Sequence, residues 1–285
     1  MAELAPEAIL HERGALIAVD KPPGVVCHAT VDPTRDHVVA MLGRLLARRT
    51  ATGSGAGAGA GSGASEPPPV HPVHRLDRDT SGVLLCATDP AVAARLSAIW
   101  GTAAVRKTYL AIQGGDVDRL PDAGEIRDHL AQGKGRDRER VVVVRSGGKR
   151  AVSHFRVLGR AGGLALVAWR IDTGRRHQIR VHAASLGCPI VADEVYGGTR
   201  SAGATRCMLH AWRLELPATL ANDPAAGDGT TTDDTTTDGD QQPTLAGVSS
   251  GATTDATLTI VAPLPADMKA VLDRAGLHSD TSARP

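Results

Sequence analysis

The sequence predicts an α+β fold with a mixed, mainly antiparallel sheet and flanking helices. Short apolar runs follow one another at hairpin spacing: Ala151–Leu158 and Leu164–Ile171 are separated by a turn at Gly162-Gly163. Helical patterns are few and do not alternate regularly with the strands, which disfavours a doubly wound parallel sheet. With 285 residues, of which 42% are hydrophobic, the chain can bury a sizeable core.

The first block, residues 8–50, predicts a strand, a turn and a helix. Ala15–Val19 is a continuous apolar run, and Asp20-Lys21-Pro22-Pro23-Gly24 after it is rich in turn residues. Residues 37–49 show helical periodicity, with apolar side chains on one face. These side chains are Val38, Met41, Leu42, Leu45 and Leu46.

Residues 70–220 predict most of the remaining structure. Asp89 and Pro90 together indicate a helix start, with Asp89 as the cap and Pro90 at the first helical position. Gly147-Gly148-Lys149 lacks the spacing of a phosphate-binding loop and predicts a hairpin turn instead. The expected strands are Val83–Ala87, Lys107–Ile112, Arg140–Arg145, Ala151–Leu158, Leu164–Ile171 and 206–216; the expected helices are Pro90–Ile99 and Arg176–Leu186. A last strand and helix are expected at Thr257–Val261 and Pro265–Ala275.

Two segments of low complexity interrupt an otherwise single domain. Residues 51–69 are rich in Gly, Ala, Ser and Pro and carry almost no side chain that could build a core, which predicts a flexible insertion. Residues 221–256 are rich in Thr, Asp and Gly, which predicts a second, disordered insertion. We expect neither to carry the chemistry.

The charge distribution makes nucleic acid a plausible partner. Residues 221–256 hold seven Asp and no Lys or Arg; without them the chain has 32 basic and 24 acidic residues. The basic residues are 27 Arg and 5 Lys, and Arg suits bidentate phosphate contacts and stacking on bases. A coding bias that enriches Arg, Ala and Gly explains the excess equally well.

The cysteines and the termini indicate a cytoplasmic protein. The four cysteines are widely spaced, without a Cys-x-x-Cys pair, which predicts buried free thiols rather than disulfides or a zinc site. No secretory signal precedes the first strand. No apolar run approaches the ~20 residues of a membrane span, so we expect no membrane association.

The densest polar run in the sequence is His74-Arg75-Leu76-Asp77-Arg78-Asp79-Thr80-Ser81-Gly82, directly before the apolar run that starts at Val83. Unpaired charge against a buried strand is costly, so this run indicates either a reactive carboxylate at Asp77 or one half of an ion pair. A carboxylate pair of Asp77 and Asp79, as in glycoside hydrolases, is a further alternative. It is the weakest, because no aromatic sugar platform accompanies it.

A second polar run, Thr173-Gly174-Arg175-Arg176-His177-Gln178-Ile179-Arg180-Val181-His182, enters a predicted helix. Arg176 and Arg180 are four positions apart and would share one helical face, from which a guanidinium could meet Asp77. The histidines lack the spacing and the matched carboxylate of a metal site, so we expect no metal.

Together the two runs resemble the signatures of the RluA-type pseudouridine synthases, H-R-L-D-x-x-T-S-G and T-G-R-T-H-Q-I-R-V-H. Other similar segments are Asp20-Lys21-Pro22-Pro23-Gly24, Arg106–Ala111, Leu186–Asp193, Tyr196-Gly197, Met208–Ala211 and Ala262–Pro265. The first strand starts too close to Met1 for an N-terminal S4 domain, so we expect a stand-alone catalytic domain. Arg176, Cys188 and Ala192 depart from the family pattern, which has Thr or Ser, His and Gly there.

The resemblance implies a pseudouridine-synthase fold with a central RNA-binding cleft, and isomerisation of uridine in tRNA or rRNA without any cofactor. Asp77 would be the essential carboxylate, Arg180 its partner, and Tyr109 would stack on the uracil. Arg75 would fill the space of the flipped base. His74, Ile179 and Leu209 would complete the substrate pocket.

Arginines at the edge of this cleft would form an RNA-facing rim. The residues are Arg136, Arg138, Arg140 and Arg176. A solvated hairpin face without RNA contacts explains their charge equally well. We expect a monomer whose partner is an RNA stem-loop. The alternative to the enzyme is a catalytically weak RNA-binding or chaperone module on the same fold.

Overall fold

The computed structural model describes residues 3–29, 36–53, 67–135, 138–221 and 256–277. The helices are α1 (Val38–Gly53), α2 (Pro90–Ile99), α3 (Gln178–Ser185) and α4 (Ala266–Ala275). The strands are β1 (Ile9–Arg13), β2 (Leu16–Lys21), β3 (His71–Pro72), β4 (Ser81–Ala87), β5 (Arg106–Gln113), β6 (Ala123–Gln132), β7 (Val141–Val143), β8 (Lys149–Ala161), β9 (Leu164–Ile171), β10 (Leu209–Pro217) and β11 (Thr257–Val261). This is the predicted α+β class.

The eleven strands of the described residues form one sheet in the order β1-β2-β4-β10-β5-β9-β8-β6-β7, with β3 paired to β4 and β11 paired to β10. Between these strands every pairing is antiparallel except that of β4 with β10. The parallel contact is short and joins Ser81 and Gly82 to His210 and Ala211. The loop that carries Asp77 enters the sheet at this junction.

Gly82 is required where the two halves of the sheet meet. Its φ is +107°, and a Cβ atom there would lie 2.2 Å from the carbonyl oxygen of Ala211. A side chain would therefore push β4 away from β10. The last residue of the first motif thus has a packing reason to be glycine.

The helices cover apolar residues of the central strands. Strand β4 is fully buried: Val83 and Leu85 pack in the cluster of α2, whereas Leu84 and Cys86 pack in that of α1. Helix α2 begins as predicted, because the side chain of Asp89 accepts a hydrogen bond of 2.9 Å from the backbone N–H of Val92. Helix α4 packs into a third cluster under β5 and β9.

Most predicted strands are confirmed with shifted ends, but three strands were missed: β1, β6 and the two-residue strand β3. Strand β6 alternates between exposed and half-buried positions, but its charged residues Glu125, Arg127 and Asp128 fall on both faces, so no clear apolar period marks it. Strand β1 is likewise only half-buried. The hairpin expected at Gly147-Gly148 is wrong: β7 and β8 do not pair, because β6 lies between them. The turn at Gly162-Gly163 does join β8 to β9, as predicted.

The two predicted insertions fall mainly outside the described residues. Residues 54–66 and 222–255 belong to them, so their flexibility stays a prediction. The first insertion starts later than predicted, since α1 continues to Gly53.

The four cysteines are buried free thiols, which confirms the prediction. Within the described residues, no helix is long and apolar enough to cross a membrane.

Candidate active site

A cavity of about 230 Å³ opens beside the junction of β4 and β10 and brings the two polar runs together. All seven residues predicted to be catalytic or substrate-binding line it: His74, Arg75, Asp77, Tyr109, Ile179, Arg180 and Leu209. A neighbouring groove of about 750 Å³ shares Asp77 and Arg180 and extends to His28 and Arg176. Residues more than a hundred positions apart in the chain, such as His74 and Leu209, therefore share one cleft.

Lys21 fixes the backbone of the loop that carries Asp77. Its side chain is fully buried, and Nζ donates to the carbonyl oxygens of Pro22, Val25 and Arg78 at 2.8, 2.7 and 2.9 Å. An ammonium group has three donors, so all of them are used. Burial lowers the pKa of Lys21 to about 8. The turn after β2 is thereby tied to the residue next to Asp77.

Arg206 fixes the same loop from the other side. Its guanidinium pairs with both oxygens of Asp267 on α4, at 2.6 and 2.9 Å, and also donates to the carbonyl oxygen of Asp79 at 3.1 Å. The side chain of Asp79 itself pairs with its neighbour Arg78. Asp79 is thus a supporting turn residue, which removes the basis for a carboxylate pair with Asp77.

Arg180 contacts two carboxylates with unequal geometry. Its Nε and Nη2 donate to the two oxygens of Asp193, both at 2.7 Å, whereas Nη1 donates to Asp77 at 3.3 Å. Asp193 is fully buried, while the Asp77 side chain is 25% exposed. Although burial opposes the charge, the hydrogen bonds that Arg180 donates to Asp193 raise the pKa of Arg180 above its ordinary value. Arg180 stays charged, with Asp193 as its main partner.

His177 links Asp77 to Tyr196. Its Nε2 lies 3.7 Å from the Asp77 carboxylate, and its Nδ1 lies 2.9 Å from the Tyr196 hydroxyl, which also accepts from the amide of Val141. Burial, with a smaller contribution from Arg180, lowers the pKa of His177 to about 4, so the ring is neutral at pH 7. The nearby carboxylate favours the proton on Nε2, and Nδ1 then accepts from Tyr196.

Apolar and aromatic groups form the walls of the cavity. Ile179 and Leu209 are each 4% exposed and present their side chains from α3 and β10. Tyr109 is partly buried; burial and then the Asp77 charge raise the pKa of its hydroxyl, which stays protonated. These surfaces suit a flat heterocycle.

His74 lines the cavity with a ring that the protein itself holds in place. Its Nε2 accepts a hydrogen bond of 3.0 Å from the amide of Leu85, and the ring stacks on Trp100 at 4.0 Å. Burial lowers the pKa of His74 to about 3. The backbone of Arg75 hydrogen-bonds the ring as well, so the protein engages both ring nitrogens.

Arg75 is exposed and forms no hydrogen bond or ion pair with the described part of the chain. Arg136 lies outside the described residues. Arg138 and Arg140 are exposed beyond β6, with the Arg140 guanidinium 5.3 Å from the ring of Tyr196.

The prediction that Arg176 shares a helical face with Arg180 is wrong. His177 has left-handed backbone angles (φ 54°) and helix α3 starts after it, so Arg176 turns away and donates to Gln132 and to the carbonyl oxygen of Glu139.

Sequence reasoning missed four positioning residues: Lys21, His177, Asp193 and Arg206. The first three lie in segments that resemble family motifs, so a signal existed, but their partners are distant in sequence. Nothing in the sequence singled out Arg206 from the other arginines. Among the described residues, no three His, Cys, Asp or Glu side chains are grouped so that they could hold a metal ion.

Comparison with known sequences places this cleft in a family. The family model described as RNA pseudouridylate synthase matches residues 15–185. An uncharacterised RNA pseudouridine synthase of Zymomonas mobilis is 44% identical over 145 residues, which is 50% of this chain and 65% of that protein. Ribosomal large subunit pseudouridine synthase D of Borreliella burgdorferi is 32% identical over 216 residues, 74% of this chain and 61% of that protein. The chain thus spans less than two thirds of the length of these relatives.

Comparison with solved structures confirms the fold. Human RNA pseudouridylate synthase domain containing 4 aligns with a TM-score of 0.64 and 23% identity, over 95% of this chain and 94% of that chain. Human RNA pseudouridylate synthase domain containing 1 aligns with a TM-score of 0.56 and 26% identity, over 76% and 82%. The chain therefore has the pseudouridine-synthase fold, and it belongs to the RNA pseudouridylate synthase family, in its RluA-type branch.

Proposed function

We propose that this protein isomerises specific uridines of structured RNA to pseudouridine, with Asp77 as the essential carboxylate and without a cofactor. The observation that carries this proposal is the geometry around Asp77. Its carboxylate lies in a cavity with Tyr109, 3.3 Å from a guanidinium whose other nitrogens are occupied by Asp193. The positive charge of Arg180 therefore orients the Asp77 carboxylate, which stays partly exposed to the cavity.

The reaction needs no atoms beyond the substrate and water. The C1′–N1 glycosidic bond breaks, the uracil turns within the cavity, and C5 forms a bond to C1′. The proton on C5 leaves to solvent and N1 ends with a proton, so the step is an isomerisation. Tyr109, Ile179 and Leu209 supply surfaces against which the uracil can turn, and the ring of His74 lines the same cavity.

Arg75 supports the required extraction of the base from its stack. An exposed guanidinium without a partner in the described structure can move into the space that the flipped uridine leaves. Flipping costs a few kcal/mol, and a cation that fills the gap offsets part of that cost. Arg176 lines the groove beside the cavity, and together with the exposed Arg138 and Arg140 it would contact phosphates.

Release of tritium from RNA labelled at uracil C5 tests the proposal. Transcripts of large-subunit rRNA come first, because several relatives are named as ribosomal large subunit pseudouridine synthases; tRNA transcripts come second. Wild type should release tritium, and Asp77→Asn should not. Asp79→Asn is the matched control, since the Asp79 side chain pairs with Arg78, and it should retain activity. Binding without release by wild type would favour the RNA-binding module instead.

A further inference from the structure

A second groove, of about 750 Å³, lies over strands β5, β6, β8, β9, β10 and β11. On β5 its lining residues are Arg106 and Thr108, whereas Lys107 and Tyr109 of the same strand line the catalytic cavity. Successive side chains of a strand point to opposite faces of the sheet. The groove therefore lies on the face of β5 that is turned away from the catalytic cavity.

Strand register arranges basic side chains in a row across this groove. Arg213 of β10 is paired with Thr108 of β5, Thr108 with Arg170 of β9, and Arg170 with His154 of β8. Directly opposed residues have Cβ atoms about 5 Å apart on the same face. Two arginines thus flank Thr108, one on each neighbouring strand.

The groove has more cations than the protein neutralises. Its charged lining residues, apart from His154, are Arg106, Arg156, Arg170, Arg213 and Glu215. Glu215 lies 4.0 Å from Arg106 and Asp172 lies 3.5 Å from Arg170. His154 contacts Asp172 at 2.9 Å and Glu125 at 3.7 Å.

Arg156 and Arg213 form no ion pair with any residue of the described structure. Neighbouring like charges in a sheet are unfavourable. A bound anion would therefore relieve repulsion that the folded chain itself leaves in place.

Two buried polar atoms at the floor of the groove also lack partners. Thr108 is 1% exposed, yet its Oγ1 has no hydrogen-bond partner, and the same holds for the buried Nε of Arg213. Both groups can donate a hydrogen bond. Both residues line the groove, where an anion offers acceptors for such donors and an apolar ligand does not.

We propose that this groove binds phosphate groups of an RNA strand, outside the catalytic cavity. The proposal rests on the proposed function in that the substrate is RNA. Four guanidiniums spread over β5, β8, β9 and β10 exceed what a single phosphate group can engage, whereas consecutive phosphates of one strand can contact them in turn. Arg is the side chain best suited to such bidentate contacts.

The test compares RNA binding by wild type, the double variant Arg156→Gln/Arg170→Gln, and Arg119→Gln. Arg119 is a matched control because it is highly exposed and does not line either groove. Fluorescence anisotropy with a long structured transcript gives Kd at several salt concentrations. The double variant should bind more weakly, and its slope of log Kd against log salt should fall by about 1.4 to 1.8, as expected for two lost phosphate contacts. Arg119→Gln should match wild type.

Unchanged affinity and slope in the double variant would overturn the proposal. A second outcome would also overturn it. Inorganic phosphate would raise the melting temperature of wild type but not of the double variant, while RNA binding would be the same in both. The groove would then be a small-anion site. Arg156 has no ion-pair partner among the described residues and the Arg170–Asp172 pair is exposed, so the double variant should change the melting temperature little. If the double variant nevertheless unfolds, Arg156→Gln alone gives the same comparison with a change in slope of about 0.7 to 0.9.

Failure of this proposal is distinguishable from failure of the enzyme assignment. Asp77→Asn keeps the groove intact, so it should bind RNA with the wild-type salt slope whether or not wild type releases tritium. If wild type releases tritium but the salt slope of the double variant equals that of wild type, only the groove proposal is contradicted. If the double variant has a smaller salt slope than wild type but wild type releases no tritium, only the catalytic proposal is contradicted.

Discussion

Arg180 and Asp193 form a two-bond ion pair, with both N–O distances at 2.7 Å, and only one guanidinium nitrogen remains for Asp77, at 3.3 Å. Two carboxylates around one guanidinium therefore differ in role. Asp193 is fully buried and orients Arg180, whereas Asp77 is partly exposed to the cavity. The difference can be measured, because the two carboxylates should affect stability and activity differently.

Asp77→Asn should abolish tritium release while changing the free energy of unfolding by less than about 1 kcal/mol, since a partly exposed pair adds little. Asp193→Asn should cost about 3 to 5 kcal/mol, because it leaves a buried guanidinium without its main partner. Urea denaturation measures both. Similar losses of stability in the two variants would contradict the division of roles.

Arg75→Ala should impair the modification of structured RNA more than that of unstructured RNA. An exposed side chain without partners contributes little to folding, so the melting temperature should not change. If Arg75 fills the gap left by the flipped base, its loss should lower kcat/KM by about tenfold or more on a stem-loop, since a few kcal/mol of flipping cost are at stake. A single-stranded oligonucleotide with the same uridine is the control substrate. An equal loss on both substrates would indicate a simple phosphate contact.

The sequence predicted the cleft well because its residues are grouped in two short motifs. Strand β4 after the first motif and the start of α2 at Asp89 follow from local rules of burial and capping, which a single sequence shows. The grouping of Asp77, Tyr109 and Arg180 came from resemblance to a family. Spacing alone left open whether Asp77 was a reactive group or part of an ion pair.

Other features depend on tertiary contacts that no local pattern encodes. The resemblance implies Asp77 as the partner of Arg180, and the two side chains are 3.3 Å apart, but the sequence did not show that the buried Asp193 is a second partner with two-bond geometry. Helix α3 starts after His177 rather than at Arg176. The sequence did not show this, because a residue with left-handed backbone angles leaves no trace in helical periodicity. Strand β6 has polar side chains on both faces because little covers it.

The stability of the fold should fall between pH 7 and pH 5. Burial lowers the pKa of His74 to about 3 and that of His210 to about 4, and His177 also to about 4. An unfolded histidine takes up a proton near pH 6.5, so the unfolded state binds more protons as the pH falls and folding loses up to about 1.4 kcal/mol per pH unit for each histidine. Burial raises the pKa of Asp20 to about 6, which opposes one of these contributions.

Urea denaturation of His210→Gln at pH 7 and pH 5 isolates one contribution. The variant should lose stability at pH 7, because the hydrogen bond of His210 to Ser81 changes, but it should lose about 2 kcal/mol less than wild type on acidification. His28→Gln, at an exposed position, removes no buried imidazole and should keep the pH dependence of wild type. An identical pH dependence in His210→Gln would show that this ring is not held neutral by burial.

Ala192→Gly should stabilise the protein by up to about 1 kcal/mol. Ala192 precedes Asp193 and has φ 58°, in the left-handed region, where a non-glycine residue costs roughly 1 to 2 kcal/mol. Glycine removes this strain, and its larger freedom in the unfolded state, together with the loss of a buried methyl group, offsets part of the gain. This is the position at which the sequence has Ala in place of the Gly of the family pattern.

Ala94→Gly, at an exposed position inside α2, is the matched control and should cost about 1 kcal/mol. If both variants lose stability to the same extent, the backbone at Ala192 is not strained, and the departure from Gly has no energetic consequence there.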